Sequence, residues 1–160
     1  MSAPLGREAP RPEEDPVDSA SPQTIAEETV RHYLAGDAAA RALGVTVSHV
    51  APGAVTAHMT VGPAMLNGHG TAHGAALFAV ADIAFAMACN SHGRQAVGRS
   101  CAIEYLAPAR PGDAVTASAV ERSLVGRGGI YDVAVTRDAD GRLLAEMRGH
   151  SRVLAATDRD

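Results

Sequence analysis

The chain has 160 residues, 46% of them hydrophobic, which is room and material for one ordinary domain core. A net charge of −4 leaves no basic footprint for nucleic acid. All 14 positive residues are Arg, which excludes Schiff-base and P-loop lysine chemistry.

Residues Met1 to Pro22 carry prolines, acids and almost nothing large and apolar, so 1–22 is expected to be a disordered tail and 23–160 a single domain. The N-terminus has no apolar signal run. Ser21-Pro22 has the pattern of an N-cap followed by proline at the first helical position. A helix with Ile25, Val30, Tyr33 and Leu34 follows, then a short one over Asp37 to Leu43, stopped by Gly44. From Val45 the period becomes two: Val45–Val50 and Ala54–Val61 are predicted strands, joined by a turn at Ala51-Pro52-Gly53. A glycine-rich loop, Asn67 to Gly74, then rises into Ala75–Cys89, apolar on every face and predicted to be a buried helix. That run is too short to span a membrane. Four strands follow, at Ala96–Leu106, Asp113–Leu124, Gly129–Thr136 and Leu143–Leu154. The short loops between them predict that successive strands are antiparallel neighbours.

The predicted fold is therefore α+β, a curved antiparallel sheet wrapped round one long buried helix. Cys89 and Cys101 follow no metal or redox spacing and are expected to be reduced thiols of a cytoplasmic protein.

Asp82 is the only residue of Ala75–Cys89 able to carry charge at neutral pH. An ionised carboxylate is expensive to bury without a partner, so its retention marks a candidate for chemistry, although a structural ion pair would leave the same mark. The loop before the helix offers free backbone N–H groups at the positive end of a helix dipole, an oxyanion or phosphate site. Donors at a helix start, with an acid farther along, point to hydrolysis of an acyl group.

Asn67-Gly68-His69, His73-Gly74, Phe78, Ala81-Asp82, Ala84-Phe85-Ala86 and Cys89-Asn90-Ser91 closely resemble the signature of PaaI-type hotdog-fold thioesterases. These are phenylacetate-pathway enzymes that hydrolyse aryl-acetyl-CoA thioesters. The resemblance continues through Ser100–Leu106, Pro111-Gly112-Asp113 and Gly129-Ile130-Tyr131-Asp132, and so covers the chain from about Ala35 to Val153. It implies a hotdog fold paired into homodimers and usually homotetramers. It also implies Asp82 as catalytic carboxylate, Gly74 as helix-start oxyanion donor and Asn67 as the residue that holds water or substrate. Where family members commonly have a second glycine after His-Gly, this chain has Ala75, whose methyl would line the acyl site.

Asp82 would act as general base on water or attack directly; the sequence leaves both open. Gly74 and Asp82 are eight residues apart, about 12 Å of helix, so Asp82 cannot reach a carbonyl held at its own helix start. The acid must come from a second subunit across a two-fold interface. His73 is expected to order the loop or touch substrate, and the resemblance adds Asn90 and Ser91 as pocket-lining candidates. Arg127 and Gly128, in a glycine turn, and Arg99 are candidates for coenzyme A phosphates, with solvated arginines as the equal alternative.

His69 and His73 stand four apart, as zinc ligands can, but without a Glu between them and among glycines; no metal is expected. No Gly-x-Ser-x-Gly elbow is present, and no cofactor is called for beyond coenzyme A as part of the substrate. An acyl-thioester hydratase or dehydratase on the same fold would want a His–carboxylate pair, with His69 or His73 as the imidazole. A non-catalytic acyl-CoA-binding module would have no need of Asp82. The set Asn67, Gly74 and Asp82 favours an acyl-CoA thioesterase, acting on aryl-acetyl or medium acyl groups.

Overall fold

A computed structural model describes residues 20–155. The expected tail lies outside the described residues except for its last three, and two of those are structural. Ser21 Oγ accepts from the Thr24 N–H at 3.1 Å, and Pro22 opens α1 (Pro22–Gly36). A cut after Pro22 would therefore remove a cap, whereas a chain beginning at Ala20 keeps it. Such a chain is expected to melt with the full-length protein, while Ser21→Ala lowers stability by about 1 kcal/mol, a few degrees in a thermal melt. Asp37 ends α1 and caps α2 (Ala38–Ala42), its Oδ1 accepting from the Ala40 N–H at 2.9 Å.

Strands β1 (Thr46–Ala51) and β2 (Ala54–Thr60) turn at Pro52-Gly53, where Gly53 has φ +74°, a conformation that favours glycine. A 3-10 turn at Pro63–Met65, not anticipated from the sequence, leads to the glycine-rich loop and α3 (Gly74–Asn90). Then come β3 (Ala96–Tyr105), β4 (Ala114–Val125), β5 (Gly128–Arg137) and β6 (Leu143–Val153). The six strands form one antiparallel sheet in the order β1-β2-β4-β5-β6-β3.

The expectation that successive strands are neighbours fails at one place. β3 pairs with β6 and not with β4, because the edges of β4 are already taken by β2 and β5. The segment joining β3 to β4 instead crosses the end of the sheet. The N–H groups of Leu106 and Ala107 donate to Leu144 O; Ala109 O accepts from Ala72 N–H, and Gly112 N–H donates to Val61 O. This crossing lies against the start of α3 and leaves β3 as an unpaired edge.

Helix α3 is wrapped by the inner faces of the strands, and 11 of its residues are buried. Its alanines let the sheet approach closely, and Ala81, Ala84 and Ala88 are fully enclosed. Where α3 carries a ring, the sheet gives way. A Cβ on Gly149 would come within 2.9 Å of the Phe85 ring and one on Gly98 within 3.2 Å. Phe85 meets Tyr131 edge-on at 5.5 Å between ring centroids.

Candidate active site

The loop before α3 is organised by one side chain. Asn67 Oδ1 accepts from the N–H groups of His69 (2.9 Å) and Thr71 (3.3 Å), and Asn67 Nδ2 donates to Thr71 Oγ1 at 3.0 Å and Ala72 O at 3.4 Å. His73 caps the helix, its Nδ1 accepting from the Ala75 N–H at 3.1 Å. The first helical residue, Gly74, keeps a backbone N–H with no acceptor among the described residues, as expected of a helix start. Gly74 is half-buried and borders a cleft of about 350 Å³ with Asn67, Leu77, Tyr105 and Pro108. A Cβ at Gly74 would lie 3.0 Å from the Tyr105 ring, so glycine is suited to this close approach.

Asp82 opens on a different cleft. It is half-buried, and the space of about 460 Å³ beside it is bordered by Tyr33, Phe78, Phe85, Val97, Arg99 and Cys101, among others. No residue borders both this cleft and that of Gly74. Among the described residues Asp82 has no ion-pair partner within this chain, and the one donor near it is Cys101 Sγ at 3.9 Å. Burial, and after it the negative charge of Asp37, pushes its carboxyl above the usual carboxylate range, partly offset by the Cys101 thiol. A half-buried acid with a raised pKa, on a cleft lined by both aromatic and polar residues, is a candidate general base or nucleophile.

Comparisons with known proteins assign the family. The sequence pattern of the Thioesterase superfamily matches residues 69–144. Acyl-coenzyme A thioesterase PaaI of Escherichia coli K12 is 40% identical over 121 residues, which cover 76% of this chain and 86% of that protein. The solved structure of the E. coli PaaI protein from the phenylacetic acid degradation operon matches with a TM-score of 0.82 at 37% identity, covering 84% of this chain and 97% of that one. The chain belongs to the PaaI-type hotdog thioesterases. A mutant form of the phenylacetic acid degradation protein PaaI from Thermus thermophilus matches at 42% identity with a TM-score of 0.71, over 74% of this chain and 100% of that one.

As a hotdog thioesterase the protein is a thioester hydrolase, and its sequence-predicted residues can be placed one by one. Asp82 and Gly74 face clefts, while both ends of the Asn67 amide are used inside the loop. Ala75 is exposed beside the helix start. Ser91 reaches neither cleft: it is 0% exposed, donates to Ala88 O at 2.8 Å and accepts from the Gly53 N–H at 2.7 Å. It ties the end of α3 to the β1–β2 turn, which is a packing role. Asn90 likewise joins α3 to β3, bonding Ala86 O and both the N–H and the carbonyl of Ala96. Arg99 borders the Asp82 cleft, at a bulge where β3 slips its register on β6. Arg127 lies with Gly128 at the β4–β5 turn, its Nε donating to Val153 O at 2.9 Å. Asp132 has the Arg partners expected of a strand carboxylate, Arg148 and Arg122, whose hydrogen bonds hold it below the usual range.

Sequence reasoning passed over three cleft residues: Tyr33 from α1, Cys101 from β3 and Tyr105 at the end of β3. A signal was available. The whole chain has only 2 Phe and 3 Tyr. Tyr33, Phe78 and Phe85 border the Asp82 cleft, Tyr105 borders that of Gly74, and Tyr131 meets Phe85 edge-on. Four of the five aromatic residues border the two clefts. No helix of the described residues is long and apolar enough to cross a membrane.

Proposed function

We propose that this protein hydrolyses aryl-acetyl-CoA thioesters of the phenylacetyl or hydroxyphenylacetyl type, with medium acyl-CoA thioesters as secondary substrates, in a site shared between two protomers. The observation that carries the shared site is the position of the two clefts along β3. The Asp82 cleft is bordered by Ala96 to Cys101, and the Gly74 cleft by Tyr105 to Pro108, toward opposite ends of one unpaired edge strand. That edge is long and exposes Val97 (43%), Tyr105 (51%) and the following Leu106 (53%), a surface that invites pairing with another chain. Antiparallel pairing of β3 with its own copy about a two-fold axis brings the Asp82 end of one strand beside the Gly74 end of the other. Two complete sites then form per dimer. Pairing of dimers into a tetramer belongs to the same proposal, with the outer face of the sheet left free for it.

In each site the Gly74 N–H, preorganised by the His73 cap, receives the developing oxyanion of the thioester carbonyl. Asp82 from the partner activates water or attacks the carbonyl carbon; in either route it is ionised before reaction and coenzyme A leaves as the thiol. Asn67 acts by holding the loop that aims the donor. Phe78 and Tyr33 give the acyl group aromatic walls, with the buried Phe85 ring behind them, which favours an aryl ring. Arg99 at the mouth of the Asp82 cleft, and Arg127 with Gly128 at the β4–β5 turn, are the cations proposed for the coenzyme A phosphates.

A hydratase would need a His–carboxylate pair at the site. The pair found among the described residues, His92 Nε2 to Glu121 Oε2 at 2.7 Å, borders neither cleft, and His73 is engaged in capping. A thiol-release assay across phenylacetyl-, hydroxyphenylacetyl-, hexanoyl- and crotonyl-CoA tests the proposal. Fastest release from the aryl-acetyl thioesters is expected. Hydration of crotonyl-CoA without thiol release would overturn it in favour of the hydratase.

A further inference from the structure

We propose that Tyr33 sets the depth of the acyl site, its ring being the wall at which the acyl group stops. The inference rests on the proposed acyl-CoA hydrolysis and names what limits its substrate. Beside the Asp82 cleft lies a second one of about 430 Å³, bordered by Thr29, His32, Gly36, Asn90 and Arg94 among others. Among the described residues Tyr33 is the one that borders both. Its position has a simple origin. Asp37 ends α1 just beyond it, and Val30, one turn earlier, is buried against the core, so the helix is held on α3 and β1 while the ring projects at the junction of the clefts.

Tyr33 is 39% exposed and lines both clefts, one of them shared with Asp82. Burial raises the phenol above its ordinary range, and Asp37, Cys89 and Asp82 raise it further, so the wall stays neutral at physiological pH. A neutral ring beside Phe78 and Phe85 packs against an aryl group that ends there. A straight chain longer than the cleft has to push it aside. With the ring gone, the two clefts join and a longer acyl chain runs on past Gly36, where the structure has open space.

The test measures kcat/KM by thiol release for phenylacetyl-, hexanoyl-, decanoyl- and dodecanoyl-CoA with the full chain. Tyr33→Ala is expected to raise the ratio of decanoyl- to phenylacetyl-CoA by about tenfold or more, the scale on which pocket size discriminates acyl groups. Tyr33→Phe, which keeps the wall, leaves the ratio near that of the wild type. Adding Gly36→Phe to Tyr33→Ala refills the second cleft and takes the gain back. Tyr33→Leu, which retains an apolar contact on α3, carries the same comparison if the alanine variant does not fold. An unchanged ratio in a folded Tyr33→Ala or Tyr33→Leu protein, or an equal loss on every substrate, overturns the inference. Absence of thiol release from every thioester by the wild type would instead remove the proposed hydrolysis itself.

Discussion

Asp82→Asn is expected to lower kcat/KM by about 100-fold or more, the scale of losing a general base, while raising the melting temperature at neutral pH. The loss follows from the position of the carboxylate: it is the only acid on α3 and, among the described residues, the only one bordering its cleft. The gain in stability follows from its environment. Burial and Asp37 raise the carboxyl in the folded protein above the ordinary value of 3.8, so the folded state holds that proton more tightly than the unfolded chain does. Above the folded pKa the ionised group therefore opposes folding, and below the ordinary value the opposition is gone. Asn has no charge to desolvate. The melting temperature of Asp82→Asn should exceed that of the wild type at neutral pH, and the gap should close as pH falls toward the ordinary carboxylate range. Wild-type kcat/KM should fall on the acid side along a limb lying above that range. A folded variant with near-wild-type turnover would remove Asp82 from the mechanism, and a lower melting temperature would show that the carboxylate is a structural partner instead.

Mixing two inactive variants is expected to restore about a quarter of wild-type activity. One variant carries Asp82→Asn, the other Gly74→Pro, which removes the backbone donor at a position where proline suits the first turn of a helix. If acid and donor come from different protomers, a mixed dimer has one site with both defects and one with neither. Random exchange makes half of the dimers mixed, which gives the quarter. If each site lies within one chain, every site in the mixture is defective and nothing returns. The proline ring must fit beside Tyr105, which a Cβ at Gly74 would approach at 3.0 Å; Tyr105 is half-exposed and can turn outward. Gly74→Ala, which keeps the N–H and adds the same Cβ, isolates that steric effect. With folding and subunit exchange shown for both partners, no recovery would sink the shared site.

Much of the architecture could be read along the chain because its causes are local. Ser21-Pro22 starts a helix through one side-chain bond and one fixed φ, and both are present in α1. The apolar run predicted as a helix over Ala75–Cys89 is α3, which extends one residue further at each end. Alternation and turn glycines place all six strands within a residue or two. Asp82 and Gly74 stand out as candidates for the same reason, as one charge in an apolar run and a glycine where a loop enters a helix.

What the tertiary structure alone decided was pairing across distance. The loop from β3 to β4 looks like a short connection, yet β3 lies at the far edge because β2 and β5 compete for β4 and win both of its sides. That outcome creates the free edge on which the proposed shared site depends. Ser91 follows α3 directly in sequence but sits at its far end from Gly74, under the β1–β2 turn, so nearness to the motif misled where direction mattered. Gly98 and Gly149 are strand glycines that local rules read as weak points, and the fold uses them to seat the Phe85 ring. Tyr33 and Cys101 reach Asp82 from α1 and β3 only after the sheet has closed round the helix. Hydrogen bonds within a turn and the period of a helix or strand act over a few residues and leave their pattern in the sequence. The choice among competing strand edges, and the set of side chains that meet at a cleft, is settled by the free energy of the whole packed chain.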